Sequence, residues 1–430
     1  MNVWFHTLGC KVNQYETQAM MALLRADGFS TGELTGDTAV GHDVIVVNSC
    51  TVTGESDRKL RQLLRRYRRS YPDAVLVLTG CMPQAFPEKA AVLSEADIVL
   101  GNDSRRAIVR HLKTFLQTGQ RIVCIHEHSK EFEPLTIDSF EGRTRAFLKI
   151  EDGCNRFCSY CIIPYARGRV RSKDSEDLRQ EIAGLAANGY REVVLVGINL
   201  TAYGQDIGKS LCDAVEVACA QDGIVRVRLG SLEPDMLTDE VIERLAAQPK
   251  LCPQFHISLQ SGCDATLRRM NRRYTSAEYA AVCQKLRAAF PGCALTTDVM
   301  VGFPGEDENE FAESFAFVES IAFAQVHVFA YSRRPGTPAD KAPNQVENAV
   351  KSARSRRMID MCEQQRERYM RQFIGTKQAV LLETRSKTEG YVEGYTDNYL
   401  PVLVKTDQPA GTVVQATISG VGHQVCMAHE

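Results

Sequence analysis

No window of the chain approaches the roughly 18 consecutive apolar residues that a membrane-spanning helix needs, so no membrane anchor is expected. The opening MNVWFHTLGC has no basic segment followed by a long apolar run, and a cytoplasmic location is the resulting expectation. Neither sign of charge is in excess. Lys and Arg number 51 against 53 Asp and Glu, so bulk charge makes no case for nucleic acid, and any such binding must come from local patches. There is no internal repeat and no low-complexity tract. A GxGxxG fingerprint is missing, and GQDIGKS is one residue too short between Gly204 and Lys209 for a phosphate-binding loop. Those absences argue against nucleotide hydrolysis. Nor is there the strained elbow of a serine or cysteine hydrolase.

What is present is a chain of 430 residues, long enough for two to three domains, with the 44% hydrophobic and 24% charged content of soluble globular proteins. It carries 15 cysteines, an odd count without extracellular features, which favours metal or cluster ligation over disulfides. Cys212, Cys219, Cys283 and Cys293 fall inside apolar or helical patterns and are assigned no role.

Three regions follow. Residues 1–125 alternate strand-like runs (3–7, 44–47, 74–79, 97–100) with helical patterns, which predicts a doubly wound parallel sheet. Residues 127–143 are polar and acidic, with Pro134 and no clear period, and read as a linker. The second region, residues 140–371, repeats six strand-like runs (146–150, 192–196, 225–229, 255–259, 295–301, 325–330) separated by long helical patterns. Six β/α units suit an incomplete barrel. A helical stretch over 344–373 closes it. The third region, residues 373–430, shows short alternating runs with Gly and Pro between them, as in a small β-barrel.

The sharpest motif is DGCNRFCSYC, which spaces Cys154, Cys158 and Cys161 as C-x3-C-x2-C after the first strand of the second region. Three thiolates so placed hold three irons of a [4Fe–4S] cluster and leave one iron open to a small molecule. The competing reading is structural zinc. Such sites close with four ligands, and no fourth Cys or His lies within twenty residues. Cys10, Cys50 and Cys81 are distant in sequence, yet each ends a strand-like run: VWFHTLGC, DVIVVNSC, VLVLTGC. Strand C-termini share one edge of a parallel sheet, so these thiols can meet, with Gly9 and Gly80 permitting tight turns. Three unrelated core cysteines remain the alternative.

These residues resemble the radical S-adenosylmethionine (SAM) methylthiotransferases over nearly the whole chain, through EDGCNRFCSYCIIPYARGRVRS, LVGINLTAYG, RLGSLEPD, HISLQSG, TTDVMVGFPGE and FAYSRRPGTPA. The last region resembles a TRAM domain, a small RNA-binding barrel. TLGCKVNQYE and GYTDNYLPV resemble the branch acting on N6-threonylcarbamoyladenosine, immediately 3′ of the tRNA anticodon, more than the isopentenyladenosine or ribosomal-protein branches. The resemblance implies two [4Fe–4S] clusters and SAM. Cys154, Cys158 and Cys161 would hold the SAM-cleaving cluster, with Tyr160 packed on adenine. Cys10, Cys50 and Cys81 would hold the auxiliary, sulfur-bearing cluster. Gly197, Asn199, Ser231, Glu233, Gln260 and Asp298 would come from strand ends to line the SAM and substrate cavity. About half of these are expected to touch ligand, the rest being turns, caps and satisfied polar groups. Asp307 stands after FPGE where the family often has Thr, and reads as a change of helix cap.

The implied chemistry is reductive SAM cleavage, hydrogen abstraction at adenine C2 and sulfur insertion, with a second SAM methylating the sulfur. The implied partners are a tRNA anticodon stem-loop and an unidentified electron donor, and the chain is expected to be a monomer. For the RNA, the densest basic segment is DRKLRQLLRRYRRS. Its Arg58, Lys59, Arg61, Arg65, Arg66, Arg68 and Arg69 read as an uncompensated phosphate-tracking face. Arg167, Arg169, Arg171, Arg268, Arg269, Arg272 and Arg273 lie near the motifs, some as structural ion pairs. Tyr391, Tyr395 and Tyr399 read as base-stacking faces or as barrel core. A reading from another class is a non-catalytic iron–sulfur protein that binds RNA or transfers electrons.

Overall fold

The structure is a computed structural model that describes residues 1–34 and 43–430. Its first sheet has six parallel strands in the order Ser30–Glu33, Asn2–Thr7, Val44–Ser49, Val75–Gly80, Ile98–Leu100 and Ile122–Cys124. The two central strands, VIVVNS and VLVLTG, are buried along their whole length, as a sheet covered on both faces requires. The outer strands STGE and IVC were not anticipated. They lie at the edges, are short, and carry no alternating apolar signal.

The six anticipated strands of the second region form two parallel sheets placed end to end in a curve, Arg145–Lys149, Glu192–Val196 and Arg226–Leu229 in one and Gln254–Ile257, Ala294–Val301 and Gln325–Ala330 in the other. The third strand breaks at Gly230 and resumes as Ser231–Leu232, which pairs with the fourth. Among the described residues the first and last strands do not pair, so the barrel stays open on one side. Its helices start at strong caps. Ser210 with Asp213 and Thr275 with Glu278 both make capping boxes, and the Asp307 carboxylate accepts from Glu310 N at 2.9 Å. Asp307 is therefore a cap, as its sequence position suggested.

The helix Asn348–Arg371 leads into a closed five-stranded barrel ordered Lys377–Arg385, Tyr391–Thr396, Pro401–Lys405, Val425–His429, Val413–Gly422. Its fifth strand, VCMAH, was missed in the sequence. Arg226 donates to Ala379 O at 2.7 Å and Tyr395 O at 3.1 Å, tying this barrel to the larger one.

The stretch 127–143 is not a free linker. Leu135, Ile137 and Phe140 are buried in the barrel's core, and so are Val12, Tyr15 and Ala19 of the first region's helix Lys11–Ala26. Polarity hid this because the buried positions follow no helix or strand period. The two regions thus share one continuous apolar core.

Candidate active site

Cys154, Cys158 and Cys161 leave the barrel in a loop after the short strand Glu151–Asp152. Gly153 has φ +91°, and a Cβ there would sit 2.0 Å from Arg169 O, so the turn into Cys154 requires glycine. Cys154 N donates to Gly168 O at 3.0 Å, and Phe157 turns the chain with a left-handed φ of 52°. Cys161 N then donates to Cys158 O at 3.0 Å. Burial, with Cys158 close to both, pushes the Cys154 and Cys161 thiols up to about 12. Arg272 donates to Cys158 Sγ at 3.3 Å while pairing with Glu233 at 2.5 Å.

Cys10 caps the helix Lys11–Ala26, Cys50 follows the strand Val44–Ser49, and Cys81 opens the short helix Cys81–Ala85. The shared strand edge does bring them together. A Cβ on Gly9 would lie 2.9 Å from Cys50 Cβ, and one on Gly80 would lie 2.4 Å from Ser49 O. Burial pushes Cys81 up to about 12, and both Cys50 and Cys10 add to that rise. Among the described residues no three His, Cys, Asp or Glu side chains converge on a single-ion position. Each trio instead offers separate thiols within electrostatic reach, which fits a multi-iron cluster whose irons each take one thiolate.

Beside Cys81 lies Arg167, which the sequence marked only as a nearby basic group. It is fully buried at the end of the helix Ile163–Arg167 that follows Cys161. Its Nε donates to Cys81 Sγ at 3.2 Å, and its Nη atoms bind Glu16 and reach Asp152 at 3.4 Å. Around it a buried ionic network joins Glu16, Glu133 and Asp152 to Arg105 and Lys149. Burial pushes Glu16 up, but Arg105, Arg167 and Lys149 outweigh that and hold its carboxyl at about 2. The sequence signal for this network was Lys149, a cation in a strand that is buried throughout.

The other anticipated residues separate into groups. Tyr160 packs edge-on against Phe303, with ring centroids 6.2 Å apart. Asn199 N donates to Glu151 Oε2 at 2.7 Å, and a Cβ on Gly197 would strike the same oxygen at 2.5 Å. Gln260 takes φ 70° and donates its N–H to Asp298 O at 2.9 Å. Ser231 and Asp298 line a cavity of about 480 Å³ inside the open barrel, and Asp298 lies 3.4 Å from His256. A cleft of about 560 Å³ between Asp360–Glu367 and Val421–Gln424 is larger, but none of the anticipated site residues lines it, whereas the smaller cavity holds Ser231 and Asp298. Tyr395 and Tyr399 stack on each other at 4.6 Å, and the Arg145 guanidinium lies over both rings. They form a wall of the 480 Å³ cavity, neither small-barrel core nor free stacking faces.

The basic helix Gly54–Ser70 is less bare than its sequence suggested. Glu55 pairs with Arg58 and Lys59, Glu95 with Arg65, and Asp97 with Arg68. Glu95 and Asp97 lie well beyond the helix, so the local sequence concealed two of the four pairings. Arg66 lies over the Tyr67 ring, and Arg61 and Arg69 are exposed.

Residues 148–318 match the family model of the radical SAM superfamily, and residues 2–101 match that of uncharacterized protein family UPF0004. The threonylcarbamoyladenosine tRNA methylthiotransferase MtaB of Bacillus subtilis (strain 168) is 40% identical over 98% of this chain and 94% of its own length. The chain belongs to the radical SAM methylthiotransferases. MtaB of Thermotoga maritima is 37% identical over 93% of this methylthiotransferase and 90% of its own length. The tRNA-2-methylthio-N(6)-dimethylallyladenosine synthase of Clostridium novyi (strain NT) is 33% identical, over 89% and 86%. Among solved structures, the radical SAM methyltransferase TsrM of Kitasatospora setae superposes with a TM-score of 0.58 at 14% identity, covering 79% of this chain and 75% of its own, which speaks to fold alone. Membership in the superfamily implies SAM and a [4Fe–4S] cluster.

Proposed function

We propose that this methylthiotransferase acts on tRNA, converting N6-threonylcarbamoyladenosine beside the anticodon to its 2-methylthio derivative with SAM and two [4Fe–4S] clusters. The reading is carried by two cysteine trios from separate regions, with Arg167, on the helix that follows Cys161, donating to Cys81 of the other trio. Cys154, Cys158 and Cys161 would hold one cluster, and Cys10, Cys50 and Cys81 the other. When bound, clusters and SAM supply the radical chemistry that an unactivated C2–H bond demands and that acid–base groups do not. The chain's own residues position and shield. Arg272 fixes Cys158, Arg167 fixes Cys81, and the shared core keeps the two loops in register. The substrate assignment draws on relatives whose names specify threonylcarbamoyladenosine tRNA. Exposed Arg61 and Arg69 are suited to its phosphates, and an external electron donor completes the reaction.

The test uses reconstituted enzyme and a modified anticodon stem-loop. Cys158→Ala should abolish deoxyadenosine release. Cys50→Ala should leave SAM cleavage detectable while stopping thiolation. Full thiolation by either variant overturns the corresponding assignment. Nucleoside mass spectrometry of a deletion strain should show the 2-methylthio form of threonylcarbamoyladenosine lost, with the isopentenyl derivative intact.

A further inference from the structure

The cavity inside the open barrel has a lining that the cluster chemistry does not use. Its floor is polar, with Gln254, His256 and Thr296 on strands facing inward. Lys11 and Arg366 enter it from two different elements, the first residue of the helix Lys11–Ala26 and the long helix Asn348–Arg371. Arg366 is held by Gln424, through Oε1 at 3.1 Å and the carbonyl at 3.3 Å. Lys11 is different. It is enclosed by the protein yet exposed, because its ammonium faces the open space of the cavity. The Phe147 ring lies 5.8 Å away and Tyr399, Arg145 and Arg228 stand within electrostatic reach, yet among the described residues it has no hydrogen bond and no ion pair. Asp298, the carboxylate on the lining among the described residues, is already engaged by His256.

Lys11 and Arg366 on the lining, with Arg145 and Arg228 close behind Lys11, give this chamber a local excess of positive charge that a bound anion would balance. The chamber adjoins Cys10, because Lys11 is the next residue. Two kinds of N6 substituent occur in the names of the relatives, threonylcarbamoyl and dimethylallyl. The first carries a carboxylate and a hydroxyl, and the second carries no polar atom. An apolar dimethylallyl group would strand these polar side chains, whereas a carboxylate would satisfy them. C2 and the N6 substituent also share the Watson–Crick edge of adenine. A lysine beside Cys10 can therefore meet the substituent while C2 faces that cysteine's loop.

We propose that Lys11, supported by Arg366, binds the carboxylate of the threonylcarbamoyl substituent and so selects it over an apolar one. The proposal rests on the substrate reading above and names the residue that would carry it.

The test is a double-perturbation cycle on the reconstituted enzyme. Binding of anticodon stem-loops is measured by fluorescence anisotropy, using RNA with the free acid or with its methyl ester. Charge-assisted hydrogen bonds of this kind correspond to about 10- to 100-fold in affinity. Wild-type enzyme should bind the ester weaker by that factor, and in Lys11→Met the acid-to-ester ratio should collapse toward one. Arg366→Gln should narrow the ratio without closing it. That variant lies far in sequence from any cluster cysteine, so it guards against a folding defect at Cys10, as does iron per chain in both variants. If Lys11→Met weakens acid and ester equally, Lys11 serves a backbone phosphate or SAM and the proposal fails. It fails too if wild type does not distinguish acid from ester. Thiolation of isopentenyladenosine RNA in place of the threonylcarbamoyl RNA by wild type would instead sink the underlying substrate reading, a different result from either of these.

Discussion

At each cysteine trio one guanidinium touches a thiol: Arg272 at Cys158 and Arg167 at Cys81. Arg167 is the more exacting position, because its five donors are spread over Cys81, Glu16, Asp152 and Asn13 in a fully buried setting. A planar fork suits that task and a point-charge ammonium does not. Arg167→Gln leaves Glu16 and Asp152 short of a cation, and breaking a buried network in this way costs about 3–5 kcal/mol. Denaturant unfolding should show a loss of that order, and Arg167→Lys should recover only part of it. An unchanged midpoint in Arg167→Gln would mean that the network does not hold the interface. The candidate cysteines could be named from the sequence because their spacing or strand-end placement is local information. The role of Arg167 was not, since its partner Glu16 lies 151 residues away and each is an ordinary surface residue by type.

Elements were legible in proportion to their burial. The fully buried strands Val44–Ser49, Val75–Gly80 and Glu192–Val196 announced themselves as β-branched runs, while the edge strand Ser30–Glu33 carried no pattern to find. The helix Gly54–Ser70 shows what one-dimensional reading cannot resolve. It buries Leu60, Leu64 and Tyr67, but the acids that meet Arg65 and Arg68 come from a neighbouring segment. Arg68 donates to the carbonyls of Pro72, Ala74 and Glu95 as well as to Asp97, so it stitches the helix to the sheet. Two different outcomes are therefore expected along one helix. Arg68→Ala should lower stability by about 1–3 kcal/mol in denaturant unfolding. Arg61→Gln and Arg69→Gln should stay within about 0.5 kcal/mol of wild type. Each should instead reduce the salt slope of tRNA binding by about one. Stem-loop affinities for these two variants that follow the wild-type salt slope would remove this helix from the RNA interface.

Over the whole molecule, the decisive feature is that two regions from distant parts of the sequence are fused through a common apolar core and a balanced ionic layer. That layer has a pH signature. Burial favours the neutral Glu16 carboxyl, yet Arg105, Arg167 and Lys149 bring it from the ordinary 4.5 to about 2. A carboxyl lowered on folding stabilises the folded state fully above its unfolded value and loses that contribution as pH falls toward the folded value. The window here is pH 4.5 to about 2. Glu151 works in the opposite sense. Burial raises it well above the usual range, so its contribution declines as pH rises past 4.5. Because Glu16 sits on the first region's helix and its cations include the barrel's Lys149 and Arg167, acid should part the two regions before either unfolds. Urea midpoints of the cluster-free chain should therefore fall steeply between pH 4.5 and 3. In Glu16→Gln the midpoint should start lower at pH 7 and fall less steeply over the same interval. Parallel slopes in the two proteins would show that acid acts elsewhere. The ionic layer would then orient the cysteine loops without contributing to the acid stability of the interface.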